Sequence, residues 1–510
     1  MSDTASPGEF DVVVVGGGPG GSTAAALVAM AGHRVLLLER EHFPRYQIGE
    51  SLLPSTVHGI GRLLGVDGAL REAGFMRKRG GTFRWGTAPE PWTFSFADSP
   101  GLGESMGYAY QVERTRFDAL LLDHARQVGA RVREGCTVRR ILRADGRVHG
   151  LIYRTPDGSE AEVRARYVMD ASGNTGRLHT AAGGERVYSP FFRNIAVFGY
   201  FENGHRLPAP NQGNILCAAF DAGWFWYIPL SDRLTSVGAV VHRDHADQVQ
   251  GDPEKALSKL IGQCALVRDY LADARRVTEG TYGAVRVRKD YSYCNTRFWA
   301  PGVALVGDAA CFIDPVFSSG VHLATYSAML AARSVNSVLS TGLAERRAFD
   351  EFEARYRREY TVFHDFLAAF YAMQASKDTY FWQARKVAGG QASAVASFVN
   401  LVGGLASGDR ALTDAGQITG RLGTAARVLD ESVHCYQADP AGDPWDESPM
   451  LGETFAQSDL LAEQGAVGDS FAETAPQFPG GLVATADGLH WAEPDQRAGA
   501  GQTGRAEQGR

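Results

Sequence analysis

Phe10-Asp11-Val12-Val13-Val14-Val15-Gly16-Gly17-Gly18-Pro19-Gly20-Gly21 opens the readable part of the chain: a β-branched run that stops abruptly on glycine. Such a run, bounded by glycine, reads as a buried strand from Phe10 to Val15. Small residues follow from about Gly20 to Ala31, then a second apolar run from Arg34 to Leu38 that ends in Glu39. Strand, helix and strand at this spacing predict a β-α-β unit, hence a parallel sheet with a right-handed crossover. Gly16, Gly18 and Gly21 fill the GxGxxG positions. The first permits a tight turn, the second lets the backbone approach a pyrophosphate, and the third lets the helix pack closely on the strand. The phosphates would then meet free N–H groups and the positive end of the helix dipole. Glu39 follows Gly21 by eighteen residues, where a carboxylate can bond both ribose hydroxyls. These residues point to a dinucleotide site.

Further strands are expected at Val132–Val138, at Val148–Tyr153 before the Pro156-Asp157-Gly158 turn, and repeatedly between Ile195 and Val241. Val303–Val306 reads as another strand, ending at Gly307-Asp308 and leading to a helix near Gly320. From Phe349 to Ala394 the pattern is helical, with Tyr356, Phe363, Phe366 and Phe370 near helical spacing. Residues 439–510 hold 13 Asp/Glu against 3 Lys/Arg, so this tail is acidic while the rest is slightly basic. Its last thirty residues are rich in Gly, Ala and Gln. The tail is expected to be largely disordered, a solvated end rather than a docking arm.

Bulk composition narrows the classes. At 510 residues with 44% hydrophobic content the chain can bury a large core, and a net charge of -7 without a basic stripe argues against nucleic acid. Six scattered cysteines with no CxxC pair suit a reduced protein, with neither a disulfide framework nor a metal site. No basic-then-apolar leader opens the sequence, and no apolar run nears the roughly 20 residues of a membrane span. A cytoplasmic enzyme without a membrane partner is the expectation.

Three further segments carry a resemblance. Gly307-Asp308-Ala309-Ala310 resembles the GD motif of the FAD monooxygenase superfamily, in which the aspartate bonds the ribityl chain. Asp170-Ala171-Ser172-Gly173 resembles a strand-turn motif of the same proteins, and Val112-Glu113-Arg114 with Phe117-Asp118 matches another, placing Arg114 beside the cofactor. The resemblance implies FAD. No second glycine fingerprint offers a place for a nicotinamide, so reduced flavin (FADH2) would come from a separate flavin reductase.

Trp224-Phe225-Trp226-Tyr227-Ile228-Pro229 matches WxWxIP, the diagnostic motif of flavin-dependent halogenases. Alternating aromatics are also ordinary core material; as a strand, this spacing puts Trp224 and Trp226 on one face. In the family these residues, with Pro229, lie along the passage near the flavin. Gly49-Glu50-Ser51-Leu52-Leu53-Pro54 resembles an element shared by carrier-protein and phenol halogenases, and Arg45 resembles a flavin-contacting arginine. The segment Asp314–His322 resembles the halide segment, with Ser319 and Gly320 in the places whose amides face chloride or bromide; His322 reads as packed on the helix rather than catalytic. Phe75-Met76-Arg77-Lys78-Arg79-Gly80 matches F-x-x-K-x-G and sets Lys78 in the catalytic place, although a basic solvated loop would look similar. Arg77 and Arg79, if crowded against it, would lower its pKa. In the family, flavin hydroperoxide formed with O2 oxidises halide to hypohalous acid, which reaches the lysine.

The resemblance covers about residues 8–400 and implies an α/β fold: a Rossmann-like FAD-binding domain (about 8–60, 110–180 and 285–340), an antiparallel-sheet substrate domain (about 75–110 and 185–285), and a helical C-terminal region at 345–438. The implied reaction is halogenation of an electron-rich aromatic ring, a tyrosine-like phenol or a pyrrole, held on a peptidyl carrier protein. The resemblance does not extend to the long insertions of tryptophan-acting members, which argues against free tryptophan. Three rivals share the cofactor fold: an FAD aromatic hydroxylase, a polyprenyl reductase and a non-catalytic FAD-binding partner. Asp290 falls in a family-like segment near the expected flavin position.

Overall fold

The computed structural model describes residues 10–85, 90–99, 102, 106–176, 178–375, 399, 401–412, 471–473 and 475–494. Its first sheet runs in the order Trp299–Ala300, Val303–Leu305, Tyr167–Asp170, Val12–Val15, Val35–Leu38, Arg131–Arg133. All neighbours are parallel except the antiparallel edge pair Trp299–Ala300 with Val303–Leu305. The four valines of the central strand are buried because layers cover both faces of the sheet. One layer includes the helix Pro19–Met30, which packs against the helix Ser319–Ser340. The expected β-α-β unit is present with its ends shifted by one or two residues.

The stretch expected as one strand, Val132–Val138, is two. Arg131–Arg133 joins the parallel sheet, whereas Thr137–Ala144 belongs to a separate antiparallel sheet with Arg147–Arg154 and Glu160–Arg164. Between them Gly135, at φ +70°, turns the chain out of the first sheet.

The second large sheet orders Cys311–Phe312, Arg286–Asn295, Arg186–Glu202, Leu234–His242, Gly223–Pro229, Ile215–Phe220, Gly80–Arg84, Trp92–Ser95. It is antiparallel except where Ile215–Phe220 runs parallel to Gly80–Arg84, so the expected antiparallel substrate sheet contains one parallel join. One face packs on Leu257 and Leu260 of the helix Pro253–Gln263; Trp224 and Trp226, on the other, belong to the main core.

In the helix Glu345–Ala375, Tyr356, Phe363, Phe366 and Phe370 are all buried, as their spacing predicts. Residues 376–398, 400 and 413–438 of the expected helical region lie outside the described residues. Of the acidic tail, residues 471–473 and 475–494 are described and hold regular structure, while 439–470, 474 and 495–510 lie outside the described residues. Val483–Ala484 pairs with Trp491–Ala492, and Trp491 is 3% exposed. The Arg355 guanidinium, fully buried, donates to Glu351 Oε1 at 2.6 Å and to Glu473 Oε1 at 2.6 Å. Acidity here marks a carboxylate that neutralises a buried arginine, which composition alone does not distinguish from solvation. Among the described residues no helix is long and apolar enough to cross a membrane, and no group of three His, Cys, Asp or Glu side chains could hold a metal.

Candidate active site

A cavity of about 720 Å³ lies where the two large sheets meet. That is within the roughly 300–1,000 Å³ of small-molecule and cofactor sites. Gly16, Gly18, Pro19, Gly20 and Glu39 form one end. Gly16 sits at φ +102°, and a Cβ there would lie 2.5 Å from the Ala171 carbonyl oxygen. A Cβ at Gly21 would lie 1.9 Å from the Gly16 carbonyl oxygen, so its role is close packing behind the turn. Glu39 accepts a hydrogen bond from the Gly17 amide at 2.6 Å and another from the Glu41 amide at 2.8 Å, which fixes its carboxylate at the cavity rim.

Arg45, Arg114 and Asp308 line the middle. A residue outside the expected set, Asp118, holds both arginines: Arg45 Nη1 donates to its Oδ2 at 2.9 Å, and Arg114 Nε to its Oδ1 at 2.7 Å. Arg114 also donates to the Ile48 carbonyl oxygen at 2.7 Å, tying the loop before Glu50 to the helix Arg114–Gln127. Asp308 touches the cavity surface yet lies deep in the molecule. Burial pushes its carboxyl up to about 6, against the pull of Arg114 and Arg186.

At the far end Trp224, Trp226 and Ile228 face the cavity with Ser318, Gly320 and Val321. The strand places both indoles on one face, ring centroids 6.2 Å apart. Trp224 Nε1 donates to Tyr371 Oη, which donates to Asp314 Oδ2 at 2.7 Å, and Asn194 Nδ2 donates to the same oxygen at 2.9 Å. Pro229 is buried beyond the wall, its place there taken by Ile228. Ser318 enters the long helix in a left-handed conformation, φ +61°, and its successors present the helix N-terminus to the cavity. Ser319 Oγ is buried without a hydrogen-bond partner among the described residues, and nothing lies within 4 Å of where a Gly320 Cβ would be.

Glu50 and Ser51 complete the wall. Tyr200 Oη donates to Glu50 Oε1 at 2.8 Å, and Tyr46 Oη lies 2.7 Å from Tyr200 Oη. Burial raises the Glu50 carboxyl to about 7, outweighing hydrogen bonds from Ser236 and Tyr200 and the charge of Arg114. Behind this wall stands Lys78, 2% exposed, on the strand Met76–Lys78. Its Nζ donates to the Leu52 carbonyl oxygen at 3.1 Å and lies 5.3 Å from the Phe96 ring. Burial lowers its ammonium to about 7, with the Cys217 thiol the neighbour that opposes the shift. The arginines are not the cause. Strand alternation turns Arg77 and Arg79 outward to solvent while Lys78 points inward.

The tryptophan halogenase family model matches residues 11–102 and 98–419. The chain is 34% identical over 445 residues to the tryptophan 2-halogenase of Chondromyces crocatus, covering 85% of this chain and 81% of that one. The myxobacterial chondrochloren halogenase CndH, described as a new variant of FAD-dependent halogenases, superposes with a TM-score of 0.73 at 49% identity, over 95% of this chain and 100% of that one. The flavin-dependent halogenase CmlS gives 0.70 at 31%, over 95% and 84%. The chain belongs to the flavin-dependent halogenase family.

This membership decides against the hydroxylase, the polyprenyl reductase and the non-catalytic partner. The halogenase uses FAD, with halide and dioxygen as co-substrates. Its cavity fits that cofactor: a glycine cradle that any Cβ would crowd, two arginines on a shared aspartate, and an unpartnered buried Ser51 Oγ in the wall. Enzymes of this family draw reduced flavin from a separate reductase.

Sequence reading named most of the cavity wall but missed what holds it. Asp118, Tyr200, Ser236, Asp314 and Tyr371 reach the site from five separate segments, and only Asp118 and Asp314 had a local motif to betray them. His322 packs, as expected: fully buried, its Nδ1 lies 2.9 Å from Ser55 Oγ and its Nε2 2.9 Å from Glu359 Oε1. Asp290 lies on the strand Arg286–Asn295 opposite Asn194.

Proposed function

We propose that this halogenase chlorinates or brominates a phenolic, tyrosine-like or pyrrole ring tethered to a peptidyl carrier protein, with Lys78 as the catalytic residue. The observation that carries the reading is Lys78 itself: a buried ammonium with no carboxylate against it among the described residues, held by the Leu52 carbonyl just behind the Glu50–Ser51 wall. Such a group costs stability, and buried groups with perturbed protonation cluster at functional sites. When bound, reduced FAD and dioxygen supply the two-electron oxidation of halide. The glycine turn and Glu39 bind the dinucleotide, while Arg45, Arg114 and Asp308 orient its middle. Ser319 and Gly320 hold halide on backbone amides at the helix start. Trp224 and Trp226 keep an organic ring out of the cavity, which favours halogenation over oxygenation. Lys78, its ammonium lowered to about 7 by burial, hydrogen-bonds the electrophile and hands it to the ring.

A second reading, attack on the indole of tryptophan, is favoured by the name of the Chondromyces crocatus relative. Incubation with FAD, a flavin reductase, NADH, oxygen and chloride separates the two. Tyrosine, pyrrole-2-carboxylate and tryptophan would be offered free and as carrier-protein thioesters. The proposal expects a chlorine isotope doublet on a carrier-bound phenol or pyrrole, lost in Lys78→Ala. A doublet on free tryptophan alone would overturn the substrate assignment, and full activity of Lys78→Ala would overturn the lysine's.

A further inference from the structure

Cys294 and Cys311 stand directly opposite one another in the antiparallel pairing of Arg286–Asn295 with Cys311–Phe312. One step further along the same register, the Asn295 amide donates to the Ala310 carbonyl oxygen at 3.0 Å. Hydrogen-bonded and non-hydrogen-bonded pairs alternate in an antiparallel ladder, so the cysteines occupy the non-hydrogen-bonded type, with Cα atoms about 4.5 Å apart. That separation falls in the range a disulfide spans, about 4.4–6.8 Å. Both thiols are free. They differ in setting: Cys294 is half-buried and receives a hydrogen bond from Arg357 Nη1 at 3.4 Å, whereas Cys311 is 1% exposed. The Cys311 thiol first, then the Arg357 guanidinium, hold Cys294 below the usual thiol range, while burial pushes Cys311 up.

We infer that Cys294 and Cys311 form a reversible redox-modification site, in which the Cys294 thiolate attacks hydrogen peroxide and Cys311 resolves the resulting sulfenic acid to a cross-strand disulfide. An accessible thiolate beside a cation and next to a resolving thiol is the arrangement that peroxide-sensitive cysteines share. The Cys294 thiolate attacks one peroxide oxygen; an S–O bond forms, the O–O bond breaks, and the departing hydroxide takes a proton to become water. Cys311 sulfur then attacks the sulfenic sulfur: the S–S bond forms, the S–O bond breaks, and hydroxide leaves with the Cys311 proton as a second water. Two thiols lose two electrons and one hydrogen peroxide gains them. The oxidant is hydrogen peroxide, which reduced flavin and dioxygen release as a by-product. Cys311 lies three residues past Asp308, so the bond would staple the strand that follows the cofactor aspartate.

The test uses the full chain without added flavin. Purified protein is treated with hydrogen peroxide, alkylated in denaturant and digested. A Cys294–Cys311 peptide pair, two hydrogens lighter than the reduced peptides and reversed by dithiothreitol, is expected. In Cys311→Ser, dimedone should trap Cys294 as its sulfenic acid. Arg357→Gln should slow the oxidation several-fold by removing the cation beside the thiolate, with Arg357→Lys close to wild type. Recovery of both cysteines as separate alkylated thiols, pairing of Cys294 with any other cysteine, or unlabelled Cys294 in Cys311→Ser would overturn the assignment.

Discussion

Replacing Lys78 with Met should stabilise the fold at neutral pH and lose that advantage as pH rises. Lys78 is 2% exposed, and burial brings its ammonium from the ordinary 10.5 to about 7. At about 1.4 kcal/mol per tenfold change in proton affinity, that gap amounts to about 5 kcal/mol. The sign follows from proton counts. Between about pH 7 and 10.5 the unfolded chain binds the proton and the folded one does not, so stability rises with pH across that window. Below pH 7 the full penalty applies, and above 10.5 none of it does. Met has similar length and carries no charge, so it removes the penalty. It also leaves the Leu52 carbonyl without its donor, a pH-independent cost of about 1 kcal/mol. The net expectation is a gain of about 3 kcal/mol at pH 7, shrinking to about zero by pH 10. Urea unfolding of both proteins at pH 7, 8.5 and 10 reads the difference directly, because every other titrating group cancels. A difference constant across that range would refute the claim that the lysine is held partly neutral by burial.

Glu50→Gln should flatten the acid side of the stability curve. The carboxyl rises from 4.5 to about 7 on folding, so its contribution is present below pH 4.5 and lost as pH climbs through 7, about 3 kcal/mol in all; melting temperatures from pH 4.5 to 7.5 check the slope. Asp308→Asn should weaken FAD binding about tenfold to a hundredfold, the value of one charge-assisted hydrogen bond, measured by flavin fluorescence titration. Gly21→Ala drives a Cβ to 1.9 Å from backbone oxygen, so it should abolish FAD retention on gel filtration and cost more than about 3 kcal/mol in stability.

Local pattern made the cofactor end legible. The valine run, the glycine spacing and Glu39 each act within one β-α-β unit, so the sequence order is the spatial order. Alternation likewise put Trp224 and Trp226 on one face. The crowding by Arg77 and Arg79 that would have lowered the Lys78 pKa is absent, because neighbours in sequence point to opposite sides of a strand, and the apolar surroundings come from residues far along the chain. Glu50 gains its environment from Tyr200 and Ser236, some 150 and 186 residues later, and no motif marks that meeting. The acidic tail misled for a different reason. Composition counts charges and ignores anchors, and Trp491 with Glu473 suffices to seat the segment on buried arginines.

That seating makes the order of synthesis matter. Every strand of both large sheets has been made by Phe312, and the helix bearing Arg355 by Ala375. Arg355 nonetheless waits for Glu473, and the Trp491 indole for its place over Ser334 Oγ, to which its Nε1 donates at 3.0 Å. The contacts that cover Arg355 and Ser334 from this side are therefore the last in chain order to become available. Affinity tags and fusions placed after about residue 494 leave those contacts in place, whereas any truncation before residue 471 removes Glu473 and leaves Arg355 to Glu351 and Asp409 alone.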